Sequence, residues 1–176
     1  MQAIAQITQG LTVWQDGAKF KRNMAGWTLV ILNLLMAINS ANFFLGILKT
    51  DIVGWLMMNT CAPSIALFVV GFLLGSPVVM VAAATMMFRY GALGLFVFPW
   101  DGFNIIAQVS HVSMTLAVIY VAVDVIRNRR WKSLSVGLLL GIVILFPLET
   151  VQTMWLIQNP ETAEKLFSGN LMPPGP

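Results

Sequence analysis

Charged residues are scarce in this chain: Asp, Glu, Lys and Arg make up 10% of its 176 residues, whereas 58% are hydrophobic. The mean hydropathy of +0.82 lies well above that of soluble domains. Together these values exclude an ordinary soluble domain and predict an all-α fold, a polytopic transmembrane helix bundle. The net charge of +3 does not indicate a nucleic-acid partner, because seven of the ten Lys and Arg lie within residues 19–22 and 127–132. Such clusters are typical of the cytoplasmic flanks of membrane helices.

Cysteine and histidine are nearly absent, with Cys61 and His111 the only examples. One cysteine excludes an internal disulfide and a thiolate metal cluster, and one histidine excludes bis-histidine haem within one chain. Met114 or a neighbouring subunit could supply a second axial ligand, but eleven methionines are expected as filler in so apolar a chain. The sequence has no phosphate-binding glycine loop, H-E-x-x-H or Cys-x-x-Cys. It therefore assigns no metal and no cofactor, and it disfavours an enzyme without excluding one.

The apolar runs predict five transmembrane spans joined by very short connections. We place the spans at about residues 26–48, 52–74, 77–99, 101–126 and 132–157, each long enough to cross ~30 Å at ~1.5 Å per residue. Short connections make consecutive helices antiparallel neighbours. Five spans with both basic segments on one side predict a cytoplasmic N-terminus and an external C-terminus, in a prokaryotic cytoplasmic membrane.

The two ends of the chain are expected to lie outside the bundle formed by residues 25–158. Within residues 1–24, Ile4, Ile7, Leu11 and Trp14 recur at spacings of 3, 4 and 3, which predicts an amphipathic helix on the cytoplasmic membrane surface. The alternative is a helix that docks a partner protein. Residues 159–176 form an extracytoplasmic tail, whose proline-rich end cannot continue a helix.

A row of polar residues marks the fourth span. Asp101, Asn104, Gln108, His111 and Thr115 recur at spacings of 3, 4, 3 and 4, which places them on one narrow arc of a helix. Burying an Asp, Arg or Lys at the centre of a membrane costs at least ~2.5 kcal/mol, so such side chains usually face the bundle interior. The row therefore predicts one wall of a polar pocket.

Polar residues of all five spans fall at a similar depth in the outer half of the membrane when their helices are drawn at ~1.5 Å per residue. We predict that they form one outward-facing binding pocket with an apolar floor. Its ligand-binding residues are Arg89, His111, Glu149, Gln108, Asn104, Asp101, Asn39, Asn42, Asn59 and Gln152. The structural alternative is a buried Arg89–Glu149 ion pair, with the amides serving as hydrogen bonds between helices.

Three local features carry further predictions. Residues 59–64 combine small, polar and helix-breaking side chains, so the second span is expected to be irregular there. Pro147, two residues before Glu149, removes a backbone N–H and can kink the fifth span toward the predicted pocket. Asp124 is expected to pair with Arg127 or Arg130 at the cytoplasmic end.

These observations favour a small membrane protein that binds, and helps to translocate, a small polar or ionic solute. Its other partners are then the lipid bilayer and further copies of the chain. The first alternative is an accessory transmembrane subunit of a larger respiratory or photosynthetic membrane complex, in which the polar cluster contacts a quinone or seals an interface. The second is an integral membrane enzyme with His111 and Glu149 as acid and base.

Overall fold

The structure, a computed structural model, describes residues 19–47, 49–97, 100, 104–161 and 164, and these residues form helices and no strand. The helices are α1 (Met24–Ala41), α2 (Ile52–Met58), α3 (Cys61–Leu74), α4 (Pro77–Met87), α5 (Gly94–Val97), α6 (Asn104–Arg127) and α7 (Trp131–Gln158). Two short π-helices, Asn42–Ile47 and Phe88–Ala92, continue α1 and α4. Of the surface helix predicted for residues 1–24, residues 1–18 lie outside the described residues, and residues 19–23 are described but are not helical. Of the tail predicted for residues 159–176, residues 162, 163 and 165–176 lie outside the described residues.

Four helical segments in this described part are long and apolar enough to cross a membrane: Met24–Gly46, Pro77–Val97, Ile105–Arg127 and Trp131–Gln158. The predicted all-α polytopic bundle is thus confirmed, and the chain is an integral membrane protein. The longest segment, α7, passes through Pro147 without interruption.

The second span is broken rather than continuous. Its two parts, α2 and α3, meet at 84°, with Asn59 and Thr60 between them. The 14 residues of α3 reach only ~21 Å, so the chain has a fifth span only if the bent pair counts as one. The irregularity predicted for residues 59–64 is present. Pro63 lies in the first turn of α3, where its missing N–H costs no helical hydrogen bond.

Side-chain caps set where three of the helices begin. The side chains of Asn23, Asp51 and Ser76 accept hydrogen bonds from backbone N–H groups of the first turns of α1, α2 and α4. Pro77 follows Ser76 at the first helical position, which suits its fixed φ. Gly75 ends α3 at a φ of +64°, a conformation that glycine adopts without a steric penalty. The turn from α3 to α4 is therefore encoded locally.

The third span lies at the centre of the bundle. Helices α3, α6 and α7 all pack on α4, while α1 lies against α3 and α6. Within the described residues, 61% of the most apolar window of this span is buried, against 11% for α1 and 11% for α7. Gly137 and Gly141 let α7 approach Val81 and Thr85 of α4 closely. The rest of α7 is mostly exposed, as expected of a helix that faces lipid.

The two basic segments meet at one end of the bundle, which we call the basic end. Arg130 donates to the Asp124 carboxylate at 2.8 Å and to the Lys19 carbonyl at 3.4 Å. Asp124 therefore pairs with Arg130, one of the two predicted partners. Residues 19–23, here called the strap, are also held by hydrogen bonds from Phe20 N–H to the Gly75 carbonyl and from the Tyr120 hydroxyl to the Lys21 carbonyl and the Asn23 Oδ1. The opposite end of the bundle is called the far end.

Candidate functional site

Three backbone irregularities lie toward the far end of the bundle. They are the π-helix Asn42–Ile47, the break at Asn59 and Thr60, and the π-helix Phe88–Ala92. π-Helices are rare and occur frequently at functional sites, because they place a side chain where a regular helix would not. Arg89 lies in the π-helix Phe88–Ala92. The half of the bundle that carries the predicted pocket is thus also the half in which the backbone is irregular.

Arg89 and Glu149 form an ion pair between the third span and α7, with Nε and Oε1 2.7 Å apart. Both lie about 12–14 Å before the far ends of their helices at ~1.5 Å per residue. The contacting oxygen is enclosed yet makes no aligned hydrogen bond, so the contact is chiefly ionic. The two side chains are nevertheless 49% and 33% exposed. The pair is therefore exposed on the side of the bundle, part-way along two helical segments that are long enough to cross a membrane.

Tyr90 and Thr60 lie beside the ion pair. The Tyr90 hydroxyl oxygen is enclosed and has no hydrogen-bond partner, although the Thr60 hydroxyl approaches it without hydrogen-bond geometry. Gln152 of α7 donates to the Met57 carbonyl at 2.7 Å and to the Thr60 hydroxyl at 3.4 Å. Gln152 thus holds the broken second span against α7, next to Glu149.

The asparagines of the predicted pocket have different roles. Asn59 donates to the Ser40 hydroxyl, which also accepts from the Trp55 indole at 3.3 Å, so α2 is tied to α1. Asn39 and Asn42 are exposed on the surface of the bundle. Of the three, only Asn59 joins a network between helices.

Gln108 and His111 form a second polar cluster, between α5 and α6. The His111 Nδ1 lies 3.1 Å from the Gln108 Oε1, and Gln108 also donates to the Leu95 carbonyl at 3.5 Å. The imidazole packs on Gly94, where a Cβ would come within 2.9 Å of the ring. Both side chains are buried, so this part of the polar row does face the protein interior.

Two members of the polar row lie outside what the structure describes. Asp101 is not among the described residues, and the same holds for the side chain of Asn104. Thr115 donates to the carbonyl of His111 in its own helix. The row therefore contributes Gln108 and His111 to contacts between helices.

The third span separates the two clusters. Arg89 faces Glu149 on α7, whereas Gly91 faces Met114 and the His111 carbonyl on α6. Residues two positions apart on a helix point to nearly opposite sides. The expectation of one pocket lined by all ten residues is thus corrected: the structure brings together Arg89, Glu149 and Gln152 on one side, and Gln108 and His111 on the other.

A third buried polar contact joins two residues that the sequence did not predict as site residues. The Asn33 amide donates to the Leu29 carbonyl, and the Ser113 hydroxyl donates to the Asn33 Oδ1 at 3.1 Å. Both residues are almost completely buried between α1 and α6. The sequence shows an amide and a hydroxyl side chain within two otherwise apolar spans, which marks both residues as polar groups that need partners. Nothing in the sequence indicates that they contact each other.

A shallow, open depression, here called the groove, lies on the face of α7 that carries Glu149. Its volume is about 330 Å³, and among the described residues it is lined by Phe146, Glu149, Thr150, Thr153 and Met154. Phe146 and Met154 are largely exposed on the side of the bundle, so the groove opens sideways, toward lipid. The ion pair is accessible from that direction.

Chemically, this site offers one cation, one carboxylate and hydroxyl groups. No group of three or more His, Cys, Asp or Glu suited to a metal ion occurs in the described part of the chain. No family model, no curated protein and no solved structure matches this chain. Because His111 and Glu149 lie on opposite sides of the third span, the geometry does not favour them as an acid and base acting on one substrate.

Proposed function

We propose that this membrane protein binds a small polar or ionic solute at the Arg89–Glu149 site and helps to carry it across the membrane. One observation carries the proposal: the ion pair lies part-way along two helical segments that are long and apolar enough to cross a membrane, yet its side chains are 49% and 33% exposed. An ion pair that only joins helices gains most when it is enclosed, since exposure of charge to lipid is costly. A ligand that contacts the exposed part of the pair would reduce that cost.

The surroundings of the pair suit a site that opens and closes. Arg89 holds acceptor groups of the solute, and Glu149 balances the charge of Arg89 or exchanges a proton with the solute. The neighbouring π-helix and the broken second span have backbone groups outside regular α-helical pairing, and such segments are common in transport sites. Gln108 and His111 hold α5 against α6 and so support the third span from the other side.

The orientation belongs to the same proposal. The strap and residues 127–132 carry seven of the ten Lys and Arg residues, and the positive-inside rule assigns such segments to the cytoplasm. The N-terminus then lies inside, the Arg89–Glu149 site lies in the outer half of the membrane, and the C-terminus lies outside. A prokaryotic cytoplasmic membrane is the proposed location.

Ligand-dependent stabilisation of the purified protein in nanodiscs tests this function. We expect at least one of acetate, glycine, phosphate and a short-chain alcohol to raise the unfolding temperature of the wild type, because a ligand that binds only the folded state stabilises it. The effect should disappear in Arg89→Gln/Glu149→Gln and persist in Arg127→Gln, which removes an exposed cation at the basic end. Equal stabilisation of the double variant would contradict the proposed site.

An accessory subunit of a larger membrane complex is the second candidate, favoured by the exposure of α1 and α7. Only 11% of the most apolar window of each helix is buried within the chain. In a complex, these two faces would pack against other subunits rather than lipid. Purification in a mild detergent distinguishes the candidates: a stoichiometric partner supports the subunit, and a homogeneous chain that binds solute supports the carrier.

A further inference from the structure

The exposed surface around the Arg89–Glu149 pair is apolar. Phe88 precedes Arg89 and is 54% exposed, while Phe146 and Met154 line the groove and are 73% and 57% exposed. Helix α7 packs on α4 through its glycine face and leaves the groove side uncovered. A molecule dissolved in the lipid can therefore reach the ion pair sideways, without passing through water.

The hydrogen-bonding capacity of Arg89 limits the head group of such a molecule. A guanidinium group has five N–H donors and no acceptor, and the contact with Glu149 uses Nε. In the described part of the chain, the structure records no partner for the two Nη groups. The matching head group must present acceptor oxygens to them.

The charge of the site limits the head group further. Arg89 and Glu149 together carry no net charge, and an anion bound beside them would leave one negative charge uncompensated within the membrane. An uncompensated charge is unfavourable in a low-dielectric medium. A neutral head group adds hydrogen bonds without that cost, and an apolar tail can lie along the groove.

We propose that the ligand of this site is a lipid-dissolved molecule with an apolar tail and a neutral head group whose carbonyl oxygens accept hydrogen bonds from the Nη groups of Arg89. The head group lies over the ion pair, and the tail lies against Phe146 and Met154. This inference rests on the proposed Arg89–Glu149 binding site and goes beyond the proposed function in the kind of ligand: the polar group is the head group of a molecule that reaches the site from the lipid. The carbonyl can belong to a quinone ring or to the ester of a neutral glycerolipid.

Saturable binding to the full chain in nanodiscs tests the inference, with empty nanodiscs subtracted. The tritiated probes are a decyl-substituted benzoquinone, dioleoylglycerol and palmitate, with acetate as a small probe that lacks a tail. We expect one of the two neutral carbonyl probes to bind, and which of them binds identifies the source of the carbonyl. Palmitate and acetate should bind at least about tenfold more weakly, since each brings a net charge.

Two variants separate the contact with the head group from access along the groove. Arg89→Lys keeps the charge but loses the planar fork of donors, so binding should weaken at least about tenfold. Thr153→Trp fills the groove and should weaken binding of the neutral probe, whereas Val151→Trp, an exposed change on another face of α7, should not.

Each other outcome overturns the inference in a recognisable way. Tighter binding of palmitate than of both neutral probes, or unchanged binding in Thr153→Trp, contradicts the proposed ligand class or route. Binding of small polar solutes alone, lost in Arg89→Gln/Glu149→Gln, leaves the proposed function standing without this inference. Efficient crosslinking of Thr153→Cys to a second chain shows that a copy of the protein covers the groove. If no probe of any class binds, the inference and the proposed function both fall.

Discussion

Replacing Gly137 by alanine tests the packing that holds α7 to the central helix. A Cβ on Gly137 would lie 2.5 Å from the Cβ of Val81 and 2.8 Å from the carbonyl oxygen of Val78. Neither atom is the end of a flexible side chain, so no rotamer change relieves the contact. The two helices must move apart instead.

The size of the effect follows from these distances. Favourable contacts between carbon atoms lie at about 3.5–4.0 Å, so α7 must retreat by about 1 Å near Gly137. Overpacking of this kind lowers the free energy of unfolding by about 1–3 kcal/mol, and the better helix propensity of alanine offsets up to about 1 kcal/mol of that loss. We expect Gly137→Ala to lower the free energy of unfolding by about 1–2 kcal/mol.

Reversible unfolding in mixed micelles, followed by far-ultraviolet circular dichroism, measures this loss. Gly46→Ala is the matched control, because the nearest atom to its new Cβ is the Asn42 Oδ1 at 3.1 Å, which can rotate away. We expect the control to remain within about 0.5 kcal/mol of the wild type. A Gly137→Ala variant as stable as the wild type would refute the close approach of α4 and α7.

Substitutions at three further polar contacts are tested by the same unfolding measurement. Arg89→Gln and Glu149→Gln should each lower the free energy of unfolding by about 1–2 kcal/mol, which is less than the loss expected from breaking a fully buried ion pair. The double variant should lose less than the sum of the two single losses, and additive losses would argue against the ion pair. Tyr90→Phe should leave stability unchanged or raise it by up to about 1 kcal/mol, because its hydroxyl has no partner, and a clear loss would indicate a hydrogen bond to Thr60. Asp124→Asn should lower the free energy of unfolding by at least about 2 kcal/mol, because the side chains of Arg130 and Asp124 are only 7% and 14% exposed. The same substitution should speed proteolysis near the strap. Unchanged proteolysis would show that the ion pair does not hold the strap in place.

Much of the fold follows from the sequence because the bilayer fixes the length of each apolar run. The first and last spans, expected at residues 26–48 and 132–157, correspond to Met24–Gly46 and Trp131–Gln158. The location of the break in the second span also follows, since residues 59–64 combine weak helix formers with a proline. Its 84° angle does not, because that angle depends on how Gln152 and α7 hold the broken ends.

The composition of the site was less predictable than its depth. Charges within a membrane require partners, and this chain has few charged residues. The ion pairs Arg89–Glu149 and Asp124–Arg130 could therefore be predicted from the sequence. Depth along a helix gives no information about the direction in which a side chain points. The π-helix Phe88–Ala92 turns the residues around Arg89 away from their regular α-helical directions. No residue pattern in that segment predicts a π-helix. The division into two clusters could therefore come only from the structure.

The strap has a consequence for how the protein is made. Its anchors are Gly75, Tyr120 and Arg130, all synthesised long after residues 19–23 leave the ribosome. Until the turn between α6 and α7 has emerged, the strap has no complete set of partners. Docking of the strap therefore requires α6 and the turn after it to be in place, and a chain arrested after α5 would leave the strap undocked and open to proteases.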